Sequence, residues 1–174
     1  MKRRIITAGL LVYLVAFLQM SVFAVFRPFG VSAILPIAFA IATSLLRHRY
    51  ESVCMGFIYG LTYDMLLGRS LGFHAILYSV AAVLISMVNE KIYRDKIAVQ
   101  LVFSVTAAFV TEFFYYLVLF SLKGYETIGV IVGSTLMPVA LLSGILVIPI
   151  YPPLAKLYYK MDMLDRMHNR IGNR

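Results

Sequence analysis

The sequence contains no tryptophan, a single cysteine and little charge. Lys, Arg, Asp and Glu together make up 14% of its 174 residues, against about 25% in a typical soluble domain. Cys54 has no second cysteine with which to form a disulfide bond, and no cysteine and histidine residues stand at a metal-binding spacing. We therefore interpret Cys54 as an apolar packing residue and expect no disulfide, no metal and no cofactor.

The motifs of common enzyme classes are absent as well. The sequence has no GxSxG nucleophile elbow, no HExxH zinc motif, no Walker A phosphate loop and no glycine-rich dinucleotide loop. Serine and histidine residues occur within apolar segments, but no spacing pairs a nucleophile with a base. We expect a protein without catalytic residues or enzymatic activity.

Apolar residues dominate what is present. They make up 61% of the chain, and the mean hydropathy is +0.87. A soluble domain of this length cannot bury so much apolar surface, so a lipid bilayer is the expected solvent for most of the chain. The net charge of +8 does not indicate nucleic-acid binding, because the basic residues lie in short loops and tails between apolar segments.

Six apolar segments predict an all-α membrane protein, a six-transmembrane-helix bundle in which residues 1–174 form a single transmembrane domain. The predicted spans are about 5–26, 31–46, 52–67, 71–88, 97–122 and 128–151, followed by a basic cytoplasmic tail at 155–174. At about 1.5 Å per residue, the first segment is long enough to cross a hydrocarbon core of about 30 Å. We interpret it as a retained span, since no clear cleavage site interrupts it. The tail fits a helix on the inner membrane surface and a solvated helix end equally well.

The distribution of basic residues predicts the orientation. With the N-terminus inside, 13 Lys and Arg residues face the cytoplasm and 3 face outward. The cytoplasmic residues are Lys2, Arg3, Arg4, Arg47, Arg49, Lys91, Arg94, Lys96, Lys156, Lys160, Arg166, Arg170 and Arg174, and the outward ones are Arg27, Arg69 and Lys123. The positive-inside rule favours this arrangement. We expect a multi-pass protein of the inner membrane with both ends in the cytoplasm.

The third apolar segment has a regular stripe. Gly56, Gly60, Asp64 and Gly68 recur every four residues, which places them along one slowly drifting face of a helix. Glycines at this spacing allow the backbone of another helix to approach closely. The stripe predicts that this helix packs tightly against a neighbour and that Asp64 points toward the same neighbour.

Two carboxylates, Asp64 and Glu112, lie inside predicted spans. Each costs about 2.5–3.5 kcal/mol near the centre of a bilayer, so each is expected to face the protein interior or a wet cavity. With His74 they form a predicted intramembrane polar cluster in the outer half of the bundle. One interpretation is a proton relay or a polar ligand pocket. The other is structural hydrogen bonding to neighbouring hydroxyl groups. The candidate partners are Thr62, Tyr63, Thr111, Tyr115 and Tyr116, and Arg69 could also cap Asp64.

A longer pattern around this stripe resembles a known family. The pattern consists of Pro36, Gly56, Gly60, Asp64, Gly68, Leu71 and Gly72. It is similar to that of the rod shape-determining protein MreD family, and the size, the basic N-terminus and the short basic C-terminal tail also fit. The specific motif covers residues 56–72, whereas the likeness in topology covers nearly the whole chain.

The resemblance implies a non-enzymatic scaffold of the bacterial cell-wall elongation machinery that maintains rod shape. Its implied partners are an MreC-like bitopic membrane protein and, indirectly, MreB-like filaments and a RodA-like glycosyltransferase with its transpeptidase. The family's implied fold is similar to that of the substrate-binding components of energy-coupling-factor transporters. An alternative is therefore a small-ligand-binding component of such a transporter, although the outer loops are short for closing over a ligand. A proton-coupled transporter would use Asp64 and Glu112, but no inverted repeat is visible.

The topology can be tested with reporter fusions. A reporter fused after Arg174 should lie in the cytoplasm and one inserted at Lys123 in the periplasm, because the 13-to-3 division of basic residues favours an even number of spans. A periplasmic signal at Arg174 would remove one span and contradict the six-span topology.

Overall fold

The computed structural model describes residues 2–21, 30, 32–68, 72–89, 97–123 and 132–172. Within these ranges the chain forms six α-helices and one short π-helix, and no strand. The helices are α1 (Lys2–Ser21), α2 (Leu35–Leu46), α3 (Arg49–Leu67), α4 (Phe73–Asn89), α5 (Ile97–Lys123) and α6 (Met137–Gly172), with the π-helix Val132–Leu136 directly before α6. The prediction of an all-α protein is confirmed.

Two of the described helices are long and apolar enough to cross a membrane. The apolar windows are Leu101–Val118 in α5 and Met137–Leu164 in α6. Shorter apolar helices cover Ile6–Ser21, Leu35–Leu46 and Phe73–Val88. Each predicted span overlaps one helix, but the helices differ in length, and the six-span topology stays a prediction.

Helix α2 is the buried centre of the fold. Every side chain from Leu35 to Leu45 is buried, and α2 contacts each of the other five helices. A helix that is apolar on all sides can be buried on all sides. Its hydroxyl groups are satisfied within the helix, since Thr43 donates to the carbonyl oxygen of Phe39 and Ser44 to that of Ala40.

The start of α2 is fixed by side chains from two other helices. Pro36 lies in the first turn, where its missing N–H leaves no helical hydrogen bond unmade. The backbone N–H of Leu35 donates to Oε1 of Gln19 at 2.8 Å, and that of Ile34 donates to Oγ of Ser143 at 2.9 Å. Pro36 therefore begins the helix without interrupting it, and α2 is tied to both α1 and α6.

Helices α3 and α4 approach each other at two glycines. A Cβ atom added at Gly60 would lie 2.6 Å from the Cα atom of Ala75. At Gly56 it would lie 2.8 Å from the carbonyl oxygen of Tyr78. Both distances are shorter than van der Waals contact, so any larger residue at either position forces the two backbones apart.

Gly68 and Gly72 serve the connection between α3 and α4, and not the helix contact that was expected for Gly68. Gly68 ends α3 with φ +63°, and its N–H donates to the carbonyl oxygen of Asp64. Gly72 has φ +94°. A Cβ atom at either position would meet no described atom within 4 Å. Positive φ favours glycine, so these two residues are explained by their own backbone conformation.

Helix α6 continues through three prolines. The sequence predicted that the last span ends at residue 151 and that a separate tail follows. The prolines are Pro149, Pro152 and Pro153, and all three are exposed. Leu154 and Tyr158, on the other side of the helix, are buried against the bundle. Packing of this extension offsets the backbone hydrogen bonds that proline removes. Residues 155–172 of the predicted tail are therefore a continuation of the last helix.

The glycine contact can be tested with two alanine variants. Gly60→Ala should lower the free energy of unfolding by about 1–3 kcal/mol, because the new methyl group overlaps the backbone of α4. Gly9→Ala is the matched control, since a Cβ atom there meets nothing within 4 Å on α1. It should be neutral or stabilising by up to about 1 kcal/mol. Reversible unfolding in mixed detergent micelles measures both. Equal stability of the two variants would contradict the close contact.

Candidate functional site

Asp64 lies in the last turn of α3 and is almost completely buried, with 2% of its surface exposed. Its Oδ2 atom accepts the backbone N–H groups of Gly72 at 2.9 Å and of Ala75 at 3.3 Å, and Oδ1 accepts that of His74 at 3.3 Å. The first N–H groups of a helix have no partner within that helix, and a helix N-terminus attracts negative charge. Asp64 therefore caps α4 from the neighbouring helix.

The side chain of His74 extends this network toward α5. Its Nδ1 atom lies 2.6 Å from Oδ1 of Asp64, and its Nε2 atom lies 3.9 Å from Oε1 of Glu112. Both oxygens of Asp64 accept backbone N–H groups, which favours the tautomer in which Nδ1 carries the proton and donates it to Oδ1. The other ring nitrogen, Nε2, faces Glu112, a residue of α5 that is 5% exposed. Three helices meet at one imidazole.

Four aromatic rings surround this imidazole. The ring centroids of Tyr115 and Tyr63 lie 4.3 Å and 4.9 Å from that of His74. Those of Tyr78 and Phe73 lie 5.7 Å and 6.2 Å from it. The rings exclude water, and the low local dielectric strengthens each electrostatic interaction within the cluster.

Some buried polar atoms of this cluster have no hydrogen-bond partner among the described residues. They are Nε2 of His74, Oε1 of Glu112 and the hydroxyl groups of Tyr78 and Tyr115. Such atoms are rare in protein interiors, because each loses its bonds to water without replacement. The facing atoms of His74 and Glu112 therefore belong, with these two hydroxyl groups, to the unsatisfied part of an otherwise well-bonded network.

The arrangement limits what the cluster can do chemically. No group of three or more His, Cys, Asp or Glu side chains in the described part of the chain is placed to hold a metal ion. Cys54 lies exposed on α3, apart from the cluster. The groups present can join helices through hydrogen bonds, and they can hold or pass a proton.

Asp64, His74 and Glu112, which the sequence placed in one intramembrane cluster, lie together in the structure. The hydroxyl groups of Thr62 and Thr111, considered as structural partners, instead donate to carbonyl oxygens of their own helices. The donors to Asp64 are mainly backbone N–H groups, which the sequence did not predict.

Of the other motif residues that the structure describes, Gly72 joins the cluster, because its N–H donates to the side chain of Asp64. Gly60 packs directly against the backbone of His74 and Ala75. Pro36 begins α2. Leu71 lies outside the described residues.

A second polar cluster, which the sequence analysis did not identify, joins the end of α2 to α6. Nη1 of Arg47 lies 2.9 Å and 3.0 Å from the two carboxylate oxygens of Asp162. Nε of Arg47 lies 2.9 Å from Oε2 of Glu51, and the guanidinium carbon lies 4.5 Å from the ring centroid of Tyr158. Asp162 follows Arg47 by 115 residues, so no local spacing signals the pair. The only signal is an acidic residue within a basic tail.

The buried cluster lies in the part of the chain that matches a known protein family. The family model described as rod shape-determining protein MreD matches residues 2–161 of the chain. No curated protein and no solved structure matches the chain. The matched segment includes all three members of the buried cluster.

Variants of Asp64 test the cap on α4. Asp64→Ala removes the acceptor for three backbone N–H groups and for the imidazole, and a buried donor left unpaired costs about 1–3 kcal/mol. Asp64→Asn keeps one acceptor oxygen, and its NH₂ group can donate to Nδ1 if the histidine changes tautomer. We expect Ala to be clearly less stable than Asn in reversible unfolding. Equal stabilities would show that the carboxylate is not the cap.

Proposed function

Because the chain belongs to the rod shape-determining protein MreD family, we propose that it is a non-enzymatic membrane scaffold of the cell-wall elongation machinery. Its role is in the determination of rod shape. In this proposal it binds an MreC-like bitopic membrane protein. Through that complex it helps to organise a RodA-like glycosyltransferase, its partner transpeptidase and MreB-like filaments.

The proposed architecture is a six-span bundle in the bacterial inner membrane with both ends in the cytoplasm. The exposed surface supports this, because the described helices carry large apolar side chains on their outer faces. Examples are Leu10 and Phe17 on α1, Ile76 and Leu84 on α4, Val102 on α5, and Leu141 and Ile145 on α6. Lipid is the solvent in which such faces are stable. We also propose the fold likeness to the substrate-binding components of energy-coupling-factor transporters.

The scaffold proposal rests on one observation, that buried polar side chains join helices to one another. In the described core these side chains bind one helix to another: Asp64 joins α3 to α4, Ser143 joins α6 to α2, and Arg47 joins α2 to α6. An enzyme or a receptor directs such groups into an open pocket. Their use between helices favours a rigid body whose exterior carries the function.

The alternative of a small-ligand receptor has less support from the described cavities. A groove between α4 and α5, of about 380 Å³, is lined almost entirely by apolar side chains. A second groove, of about 470 Å³, lies between α1, α3 and α6 and contains Arg47 and Glu51. These two side chains already pair with each other. Neither groove offers the convergent free polar groups that orient a polar ligand.

Depletion and rescue test the scaffold proposal. Depletion should round the cells without changing the chemistry of the wall cross-links, because a scaffold positions enzymes and makes no bonds. Asp64→Asn should restore rod shape and co-purify with the MreC-like partner at matched membrane levels. Gly60→Leu should lose both, because its side chain collides with the backbone of α4. Gly9→Leu, on an exposed face of α1, is the control for the size of the side chain.

Two results would contradict this proposal. The first is reconstituted protein that polymerises or cleaves a wall precursor by itself. The second is failure of Asp64→Asn at normal membrane levels while Gly60→Leu succeeds, which would assign the function to titration of the carboxylate.

A further inference from the structure

Whether the facing atoms Nε2 of His74 and Oε1 of Glu112 attract or repel each other depends on whether a proton lies between them. Asp64 holds Nδ1 as a donor, so Nε2 of a neutral imidazole is an acceptor. An ionised Glu112 has only acceptor oxygens. At 3.9 Å the two acceptors would repel across a dry interface, whereas one proton on either atom turns the contact into a hydrogen bond.

The helices that pack around α5 bring no other charge to Glu112. Helix α2, the π-helix and α6 as far as Ile150 contain no charged or titratable residue, and these elements contact α5. Helix α4 brings only His74 and Tyr78, and α5 itself adds Tyr115 and Tyr116 near Glu112. The groups that face His74 from α3 are Asp64 and Tyr63. Phenols are neutral near pH 7, so the imidazole is the one cation available to Glu112 among the described residues.

We propose that His74 and Glu112 bind one proton between them, and that this buried proton holds α5 against α4. In one form the Glu112 carboxylic acid donates to Nε2. In the other form the imidazolium donates to the Glu112 carboxylate. The two forms differ only in which of the two atoms carries the proton, so the net charge of the three side chains is the same in both. Either form requires the present separation of 3.9 Å to shorten to a hydrogen bond of about 2.8 Å.

The surroundings of this pair explain why the proton matters for the helix contact. Next to it α4 and α5 are separated by the apolar groove of about 380 Å³, with Leu77, Leu84, Val110 and Phe114 among its walls. Thr111, the neighbour of Glu112, also lines the groove. Loss of the proton would leave two buried acceptors facing each other beside this groove, and α5 would move away from α4.

The proton can be counted by thermodynamic linkage. Between about pH 7 and pH 9 an unfolded chain holds no proton on Glu, and the fraction of its His imidazole that carries the second proton falls from about a quarter to less than about a hundredth. If the folded chain holds one, its folding equilibrium constant should fall about tenfold per pH unit, and the stabilisation is lost as pH rises. Reversible unfolding of the whole protein in mixed micelles, measured by circular dichroism from about pH 7 to pH 9, gives this slope.

Two matched variants identify the source of the slope. Glu112→Gln presents an amide donor to Nε2 at every pH and therefore needs no shared proton. Its folding equilibrium constant should lack the fall of about tenfold per pH unit that the shared proton gives the wild type. Glu51→Gln makes the same chemical change in the half-exposed pair with Arg47 and should keep the wild-type slope. A flat wild-type profile, or equal slopes for the wild type and Glu112→Gln, would overturn the shared proton.

A distance measurement tests the helix contact without unfolding. Spin labels on Val80→Cys and Val110→Cys, in a Cys54→Ser background, report the separation of α4 and α5 across the groove. The separation should increase at alkaline pH in the wild-type pair and stay constant with Glu112→Gln. A wild-type separation that does not change with pH would overturn the role of the proton in holding the helices together.

Discussion

A carboxylate inside an apolar bundle must find hydrogen-bond donors, and Asp64 finds them at the start of the next helix. Leaving water costs an ion several kcal/mol, and the backbone donors of α4 together with the imidazole of His74 offset that cost. These bonds require α3 and α4 to lie very close together. Gly56 and Gly60 meet that requirement because neither has a side chain to hold the backbones apart. The Asp64 carboxylate and the two glycines therefore act together in this helix contact, because their four-residue spacing places them on one face of α3.

The sequence predicted where the cluster lies better than how it is bonded. Asp64 and Glu112 could be assigned to the interior because charge is excluded from lipid. Their partners could not be assigned in the same way, because backbone N–H groups carry no signature in a sequence and the imidazole was only one of several candidates. The turn glycines show the same limit. Gly68 shares the spacing of Gly56 and Gly60, but only backbone geometry distinguishes a helix end from a helix contact.

Contacts between distant parts of the chain were the hardest to predict. A Cβ atom at Gly144 would lie 3.0 Å from the Cα atom of Val105, so α5 and α6 also approach closely. Ala140 and Gly144 form a small-xxx-small pair that signals such a contact in principle. The ion pair of Arg47 with Asp162 has no comparable signal. It helps to hold the extension of α6 beyond residue 151, where the last predicted span ends.

The two side chains at the start of α2 have a consequence for how the protein is made. Gln19 precedes Leu35 by 16 residues and is available as soon as α2 is synthesised. Ser143 follows Ile34 by 109 residues, and at about 5–20 residues per second the ribosome needs roughly 5–20 s to supply it. During that interval α1 and α2 can pair, while the backbone N–H of Ile34, directly before α2, has no acceptor from Ser143. The central helix is thus among the first to leave the ribosome, but its N-terminal hydrogen bonds are complete only when α6 arrives.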